Sequence, residues 1–251
     1  MCSVTSSDAP PPAAAGDAAA AALKEQLQGC DVVICSLGVL DFDPALASVV
    51  DRVCRQVGPS FFLTLSAGEL AFFFSNLNTH VVQERSGAQG AGATASTQTG
   101  GPETIEFPSL AEFLSLSPAE LQRQKADASF MLVALFLAFA GDRGKKAVPN
   151  AGADFAAFCA EAKCVPSVDG FADLLHAYAC FFVEPLMHVA SVASGLLAQE
   201  VIKAITKRDV PLVNSICFNA HTGAALVERL PAPAKPAVKR KAEEIATDIL
   251  D

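Results

Sequence analysis

The chain has 251 residues, of which 51% are hydrophobic, so it can bury the core of one α/β domain or of two smaller units. Its formal net charge of −9 argues against a general nucleic-acid binder, because phosphate neutralisation requires an excess of Lys and Arg. The partner that we expect is therefore a protein.

The amino-terminal residues 1–22 are predicted to be a disordered leader. They are rich in Ala and Pro and have no basic residue before Lys24, so they lack the charged start and long apolar stretch of a secretory signal.

The chain has eight cysteines, and several lie in apolar runs, as Cys35, Cys54 and Cys180 do. This placement favours reduced core thiols and a reducing compartment.

Residues 23–85 are predicted to form part of a nucleotide-binding-type sheet. The apolar run from Cys30 to Gly38 lacks polar alternation, which is typical of a central parallel strand covered on both faces. Two further apolar runs, Phe61–Leu65 and Leu70–Phe74, predict two more strands.

A helix is predicted between the first two of these strands. Asp43 can cap it, Pro44 suits its first turn, and Gly58 with Pro59 ends it. Its apolar face is predicted to consist of Leu46, Val49, Val50, Val53 and Val57.

A flexible crossover loop is predicted over residues 86–107, because nearly every residue between Ser86 and Pro102 is Gly, Ala, Ser, Thr or Gln. Residues 108–230 are predicted to hold a helical subdomain, a long helix and a closing β-hairpin that complete the sheet. Their sequence signals are two capping boxes, Ser109 with Glu112 and Ser117 with Glu120, a buried apolar helix at Ala128–Ala140, helices near Asp154–Lys163 and Phe171–Phe182, a long helix from Glu184-Pro185 to Lys207, and strands at Val213–Phe218 and Ala224–Leu230.

The longest apolar run, Ala128–Ala140, is well short of the ~20 residues that a membrane span needs, so we expect no membrane partner.

Residues 231–251 are predicted to be a disordered charged tail. Its basic cluster, Lys235, Lys239, Arg240 and Lys241, suits a nuclear-import signal or a solvated charged tail, and both interpretations stay open.

The segment Ser194–Asp209 indicates a helix with small residues in its first half and cations in its last turn. Its small residues would let a neighbouring backbone approach closely, and its cations suit the negative end of the helix dipole. The small residues around the start of this segment are Ser191, Ala193, Ser194, Gly195 and Ala198.

This segment resembles the late helix of the ThiF/ubiquitin-activating-enzyme family, in which a glycine and small or apolar residues precede Ala-Gln-Glu, two apolar residues and Lys. The residues after the helix, from Arg208-Asp209 to Asn214 and then from Ile216 to Leu230, resemble the family's final hairpin. Upstream, Asp31–Cys35 and Phe74–Leu77 are similar to the stretch that leads into the family's crossover loop. The resemblance covers about residues 23–230 and is strongest from Pro185 onward.

Within the family the chain looks most like the small, non-catalytic subunit of the SUMO-activating enzyme, with the small subunit of the NEDD8-activating enzyme as the alternative. The resemblance implies a Rossmann-related mixed α/β fold, a regulatory or scaffold role in sumoylation, and a heterodimer with a catalytic large subunit. ATP and Mg would be held by that partner, the modifier would be contacted indirectly, and the location would be the nucleus and cytoplasm.

The family's glycine-rich phosphate turn between a first strand and helix has no counterpart in this sequence, nor has the nucleotide-contacting arginine of the small subunit. Gly87, Gly90 and Gly92 lie in the low-complexity loop with no helix after them. Gly144-Lys145-Lys146 follows a helix and lacks the other residues of a phosphate loop. We therefore expect no cofactor-binding residue in this chain.

No cysteine lies in a setting like that of the family's thioester-forming cysteine. Cys159 and Cys164 lack a second close pair, so a zinc site is not predicted. His176 and His188 lie on apolar helices and His221 in a turn, without a nucleophile nearby, so no catalytic residue is assigned.

Two other classes of function stay open at this point. One is an incomplete pseudoenzyme or truncated gene product with no activity of its own. The other is a nucleotide-binding oxidoreductase, which is indicated only by the order strand, helix, strand.

Overall fold

The fold begins with two helix–strand pairs, which are followed by three further strands, four helices and a closing pair of strands in the described residues. The computed structural model describes residues 16–38, 42–83, 103–143, 155, 157–158, 186–220 and 222–232. In those residues the elements are, in chain order, α1 (Gly16–Gln26), β1 (Val32–Gly38), α2 (Pro44–Val57), β2 (Ser60–Ala67), β3 (Leu70–Asn76), β4 (Thr79–Val82), β5 (Glu103–Glu106), α3 (Leu110–Leu114), α4 (Pro118–Arg123), α5 (Ala128–Arg143), α6 (Met187–Thr206), β6 (Ser215–Asn219) and β7 (Ala224–Glu228).

The main sheet has five strands in the order β1-β2-β3-β6-β7. The first pair is parallel, with Ile34 opposite Phe62, and the other neighbours are antiparallel. Phe72 in the middle strand lies opposite Leu65 on one side and Cys217 on the other. The predicted mixed α/β class and the closing hairpin are confirmed.

The position of β1 differs from the prediction. β1 lies at the edge of the described sheet, and Ile34 is 49% exposed. The central position predicted for it is therefore wrong within the described residues. The continuous apolar run predicts the strand itself, but it records neither how many neighbours the strand has nor how fully its faces are covered, as the exposure of Ile34 shows.

The helix α2 has the predicted ends but a different buried face. The Asp43 carboxylate accepts hydrogen bonds of 2.9 and 3.1 Å from the first two free backbone amides, and Gly58 ends the helix with φ +116°. Leu46, predicted on the buried face, is 42% exposed. The side chains that are buried are Ala47, Asp51, Val53 and Cys54.

Helices cover both faces of the main sheet, giving the three-layer arrangement of many α/β domains. On one face, Phe113 of α3 stacks on Phe72 and contacts Phe74, each at a ring distance of 5.6 Å. The apolar helix α5 packs into the same core, as predicted, and its side chains from Phe130 to Val133 are all buried. On the other face, α6 packs against Phe62 and Ala71.

A buried polar cluster joins α2 to the sheet and to α3. Asp51 is 2% exposed, and its carboxylate accepts from Asn76 Nδ2 at 2.6 Å and from the Leu110 amide at 2.9 Å. Asn76 Oδ1 in turn accepts from the Asn78 amide at 3.0 Å. Burial raises the pKa of Asp51, and these hydrogen bonds oppose that rise. The cluster therefore orders the end of β3 and the start of α3.

A separate two-stranded ribbon pairs β4 with β5, with Thr79 opposite Glu106. Because β5 covers residues 103–106, the last part of the predicted crossover loop is a strand, which the β-branched Thr104 and Ile105 favour. The ribbon is attached to α6, since the Gln83 amide donates to the Lys207 carbonyl at 2.7 Å.

The helix α1 begins at Gly16 and so shortens the predicted leader. Its alanine run explains the helix, because alanine has the highest helix propensity. Both predicted serine caps are confirmed, since Ser109 and Ser117 accept from the amides of Glu112 and Glu120. The second hydrogen bond of a capping box, from the serine amide to the glutamate carboxylate, forms in α3 but is not present in α4.

Several predictions lie outside the described residues. They are the leader up to residue 15, the glycine-rich loop of residues 84–102, nearly all of the helices predicted between Asp154 and Phe182, and the tail from residue 233. These stay predictions, as does the division of the chain into five segments.

Candidate functional site

The helix α6 contains the segment that carries the family resemblance, and it has one face on the sheet. Val189 and Ala193 pack against Ala71, and Ala204 packs near Phe62. The helix ends at Lys207, which adopts φ +55° and donates its amide to the Lys203 carbonyl at 2.9 Å. The predicted long helix and its carboxyl end are confirmed.

Glu200, the acidic residue of this segment, fixes the connection between α6 and the hairpin. It is 3% exposed, forms an ion pair with Lys203 Nζ at 2.6 Å, and accepts from the Leu212 amide at 2.7 Å through its other oxygen. Both carboxylate oxygens are thus used within the fold. Glu200 has a structural role, and nothing in its contacts points to catalysis.

The opposite face of α6 is exposed, and large apolar side chains lie at both ends of it. Met187 is 83%, Ile202 59% and Ile205 57% exposed. Between them the helix exposes small residues at helical spacing, namely Ser191, Ser194, Gly195 and Ala198. We call the surface formed by these seven residues the outer face of α6.

The outer face has no packing partner among the described residues. A Cβ atom added at Gly195 would meet no atom within 4 Å, so the close backbone approach predicted from the small residues does not occur within the described fold. From Met187 to Gln199 the helix carries no acidic or basic side chain apart from His188. A helix that is apolar on opposite faces is typical of one that is covered on both sides.

The helix Met187–Thr206 is long and apolar enough to cross a membrane by length and composition alone. Its inner face packs on the sheet, and it carries the partly buried ion pair between Glu200 and Lys203. These contacts are those of a helix in a folded α/β domain.

The other residues considered from the sequence do not come together in the described structure. His188 lies exposed on α6. The glycines at 87, 90 and 92, the segment 144–146, Cys159, Cys164, His176 and His221 all lie outside the described residues. In the part of the chain that the structure describes, no three His, Cys, Asp or Glu side chains are grouped so that they could hold a metal ion.

The thiols of Cys54 and Cys217 lie in the core and form no disulfide. Cys54 and Cys217 are buried, and burial raises the pKa of each to about 12. Their thiols stay protonated near neutral pH, which makes them poor nucleophiles. This agrees with the interpretation of Cys54 as a core thiol.

Sequence reasoning missed two buried polar groups. Neither Asp51, which lies between apolar positions of α2, nor His80 was assigned a role. His80 is 4% exposed, and burial together with the nearby charge of Lys207 lowers its pKa. The signal that could have indicated Asp51 is that it is the one acidic residue of α2 and lies at helical spacing from the apolar residues Ala47 and Cys54.

Comparison with known proteins gives weak but consistent matches, and no family model matches the chain. SUMO-activating enzyme subunit 1 of Danio rerio is 24% identical over 201 residues, covering 71% of this chain and 58% of the relative. The proteins of the same name from Rattus norvegicus and Mus musculus are 24% identical over 204 residues, covering 72% of this chain and 58% of each relative. The chain thus spans less than two thirds of the length of these relatives.

Proposed function

We propose that this chain, a relative of the ThiF/ubiquitin-activating-enzyme family, acts as a regulatory or scaffold subunit in SUMO activation. In this proposal it forms a heterodimer with a catalytic large subunit, which holds ATP and Mg and activates the modifier. The consistent matches to proteins named SUMO-activating enzyme subunit 1 support the pathway. They favour SUMO over NEDD8 as the modifier served.

The observation that carries the scaffold role is the outer face of α6. Met187, Ile202 and Ile205 present apolar surface that packs on nothing in the described fold. The cores of protein interfaces are depleted in charged residues and contain large apolar side chains, and Met is enriched there. The helix is anchored on the sheet, and Glu200 ties its end to the hairpin, so the surface is presented on a rigid element.

The chemistry of the described residues supports a binding role. The described thiols in the core have raised pKa values, and the acidic residue of α6 is used for structure. The adenylation step would then be carried out by the partner, and this chain would contribute by stabilising that partner. The proposed location is the nucleus and cytoplasm, with the basic cluster of the tail as the candidate import signal.

The test is reconstitution with the catalytic large subunit of the same organism. We expect the tagged chain to co-purify with that subunit, and we expect the pair to form a SUMO thioester when ATP is added. The chain alone should form none, and NEDD8 in place of SUMO should not be activated. A large subunit that neither associates with the chain nor gains activity from it would refute the proposal.

A further inference from the structure

The last described residues lie near the carboxyl end of α6. Leu230 is buried, and its amide and carbonyl both bond to the side chain of Asn214, which lies just before β6. Two residues earlier in the chain, the Leu212 amide donates to the Glu200 carboxylate of α6 at 2.7 Å. The tail after Leu230 therefore starts at the same end of the sheet at which α6 ends.

The ribbon gives the distance that the tail has to cover. Arg229 Nη2 donates to the Glu106 carbonyl at one end of the ribbon, and four residues along β4 the Gln83 amide donates to the Lys207 carbonyl at the other end. Those four residues rise about 13 Å, so with the length of the Arg229 side chain the separation is roughly 20 Å. Residues 233–242 can span about 30 Å when extended, so the residues that follow them can reach α6.

The end of α6 within this reach is apolar and is followed by cations. Ile202 and Ile205 of the outer face are each more than half exposed. Lys207 and Arg208 come directly after the helix and are exposed, and within the described residues neither forms an ion pair. An acidic segment with large aliphatic side chains therefore fits this end of the outer face.

Residues 242–251 have that composition. They contain no Lys or Arg, and they combine acidic residues with large apolar ones. Ile245 and Ile249 are four residues apart and would share one side of a helix, with Glu244 and Asp248 on the neighbouring side. A segment that has no core of its own can become ordered when it binds a surface, and an amphipathic segment can bind through one apolar side.

We propose that residues 242–251 dock on the outer face of α6 in the same molecule. The two isoleucines of the segment lie against the exposed isoleucines of α6, and its carboxylates face the cations that follow that helix. The tail then covers the surface that the proposed function assigns to the catalytic partner, and it regulates that interaction by competition. The competition rests on the proposed function, whereas the docking does not.

Apolar contact supplies most of the affinity. The carbonyl end of α6 carries partial negative charge, and Asp209 and Asp31 lie near Lys207, so the charges orient the segment more than they hold it. A contact between a few apolar side chains has a dissociation constant of about 1 mM, and a short tether gives an effective concentration of about 3 mM. Most molecules then have the tail docked, which weakens partner binding about fourfold.

The first experiment is carbodiimide cross-linking of the full chain, which joins an ammonium group to a carboxylate in direct contact with it. Peptide mass spectrometry should find Lys207 joined to the acidic residues of 242–251. Lys125 is the matched control, because it is exposed and lies beside Gln124, which accepts from the Ala232 amide at 2.8 Å. Lys125 is thus closer to the start of the tail, but it should be joined to this segment less often than Lys207.

The second experiment uses the double variant Ile245→Ser with Ile249→Ser in the full chain. The methyl NMR signals of Ile202 and Ile205 should shift relative to the unchanged chain, because their apolar cover is lost. Val238→Ser, which changes an apolar residue of the tail outside the segment, should leave both signals in place. The double variant should also bind the purified large subunit about fourfold more tightly than the unchanged chain and Val238→Ser do.

Three results would overturn the docking. They are equal cross-linking of Lys125 and Lys207, identical methyl signals in the double variant and the unchanged chain, and cross-links that join two chains, which would assign the segment to a second copy. A large subunit that binds no form of the chain would refute the proposed function instead, and the cross-links and methyl signals would still decide the docking.

Discussion

Replacing Glu200 by alanine should destabilise the fold more than replacing its ion-pair partner Lys203 by alanine. The alanine leaves the Leu212 amide without its 2.7 Å acceptor, and it leaves the Lys203 ammonium without its 2.6 Å carboxylate. A buried amide that loses its acceptor costs about 1–3 kcal/mol. The Lys203 side chain is 25% exposed and can reach water, so losing the pair adds only about 1 kcal/mol.

The expected loss for Glu200→Ala is therefore about 2–4 kcal/mol. With an m-value of about 2 kcal/mol per molar urea, the unfolding midpoint falls by about 1–2 M. Glu200→Gln keeps an acceptor for the Leu212 amide and should lose only about 1 kcal/mol. Lys203→Ala should lose about 1 kcal/mol or less, because the Leu212 hydrogen bond remains.

Urea unfolding followed by circular dichroism measures all three variants against the unchanged chain. The order of loss should be Glu200→Ala first, with Glu200→Gln and Lys203→Ala close together. If Glu200→Ala were no more destabilised than Lys203→Ala, the hydrogen bond to Leu212 would contribute nothing, and the structural role given to Glu200 would be refuted.

Three further predictions concern buried groups. Asn214→Ala removes the donor to the Leu230 carbonyl at 2.7 Å and the acceptor for the Leu230 amide at 2.8 Å, so the free energy of unfolding in urea should fall by roughly 2–4 kcal/mol. A fall below about 1 kcal/mol would contradict this prediction. Because burial lowers the pKa of His80 below 6.5, the unfolded chain binds a proton that the folded chain does not, so the free energy of unfolding should fall as pH is lowered through about 6.5. Urea midpoints at about pH 7.5 and 5.5 measure this, and an equal pH dependence in His80→Gln would count against it. The thiol of Cys217, whose pKa is raised to about 12, should escape alkylation by iodoacetamide at about pH 8, while the half-buried Cys30 should react. Peptide mass spectrometry measures both, and equal modification of the two cysteines in the folded chain would disprove the prediction.

Local signals in the sequence predicted the elements well because the causes were local. Asp43 and Gly58 bound α2 as predicted, since capping and a left-handed turn depend on a few neighbouring residues. The serine caps of α3 and α4 were predicted for the same reason. The strands of the sheet and its closing hairpin were predicted from apolar runs separated by turn residues.

Features that depend on distant contacts were not predicted. The edge position of β1 depends on which strands lie beside it, and no residue of β1 records that. Leu46 has the correct helical spacing for the buried face of α2, but Asp51 takes a place on that face because Asn76 and Leu110 supply its hydrogen bonds.

The candidate site illustrates both cases. The helix α6 was predicted from its sequence, but the exposure of its small residues was not, since periodicity gives an apolar stripe without telling what covers it.

The central claim, that the outer face of α6 binds the catalytic partner, is tested most directly by the double variant Ile202→Asp with Ile205→Asp. Its control is the single variant Leu46→Asp, which places one such negative charge at an exposed apolar position of α2. Affinity for the purified large subunit is measured by isothermal titration calorimetry, with circular dichroism confirming that each variant is folded. We expect the double variant to weaken binding by at least about a hundredfold, since two buried aliphatic anchors are worth roughly 3 kcal/mol or more, and we expect Leu46→Asp to bind normally. Unchanged affinity of the folded double variant would contradict the claim.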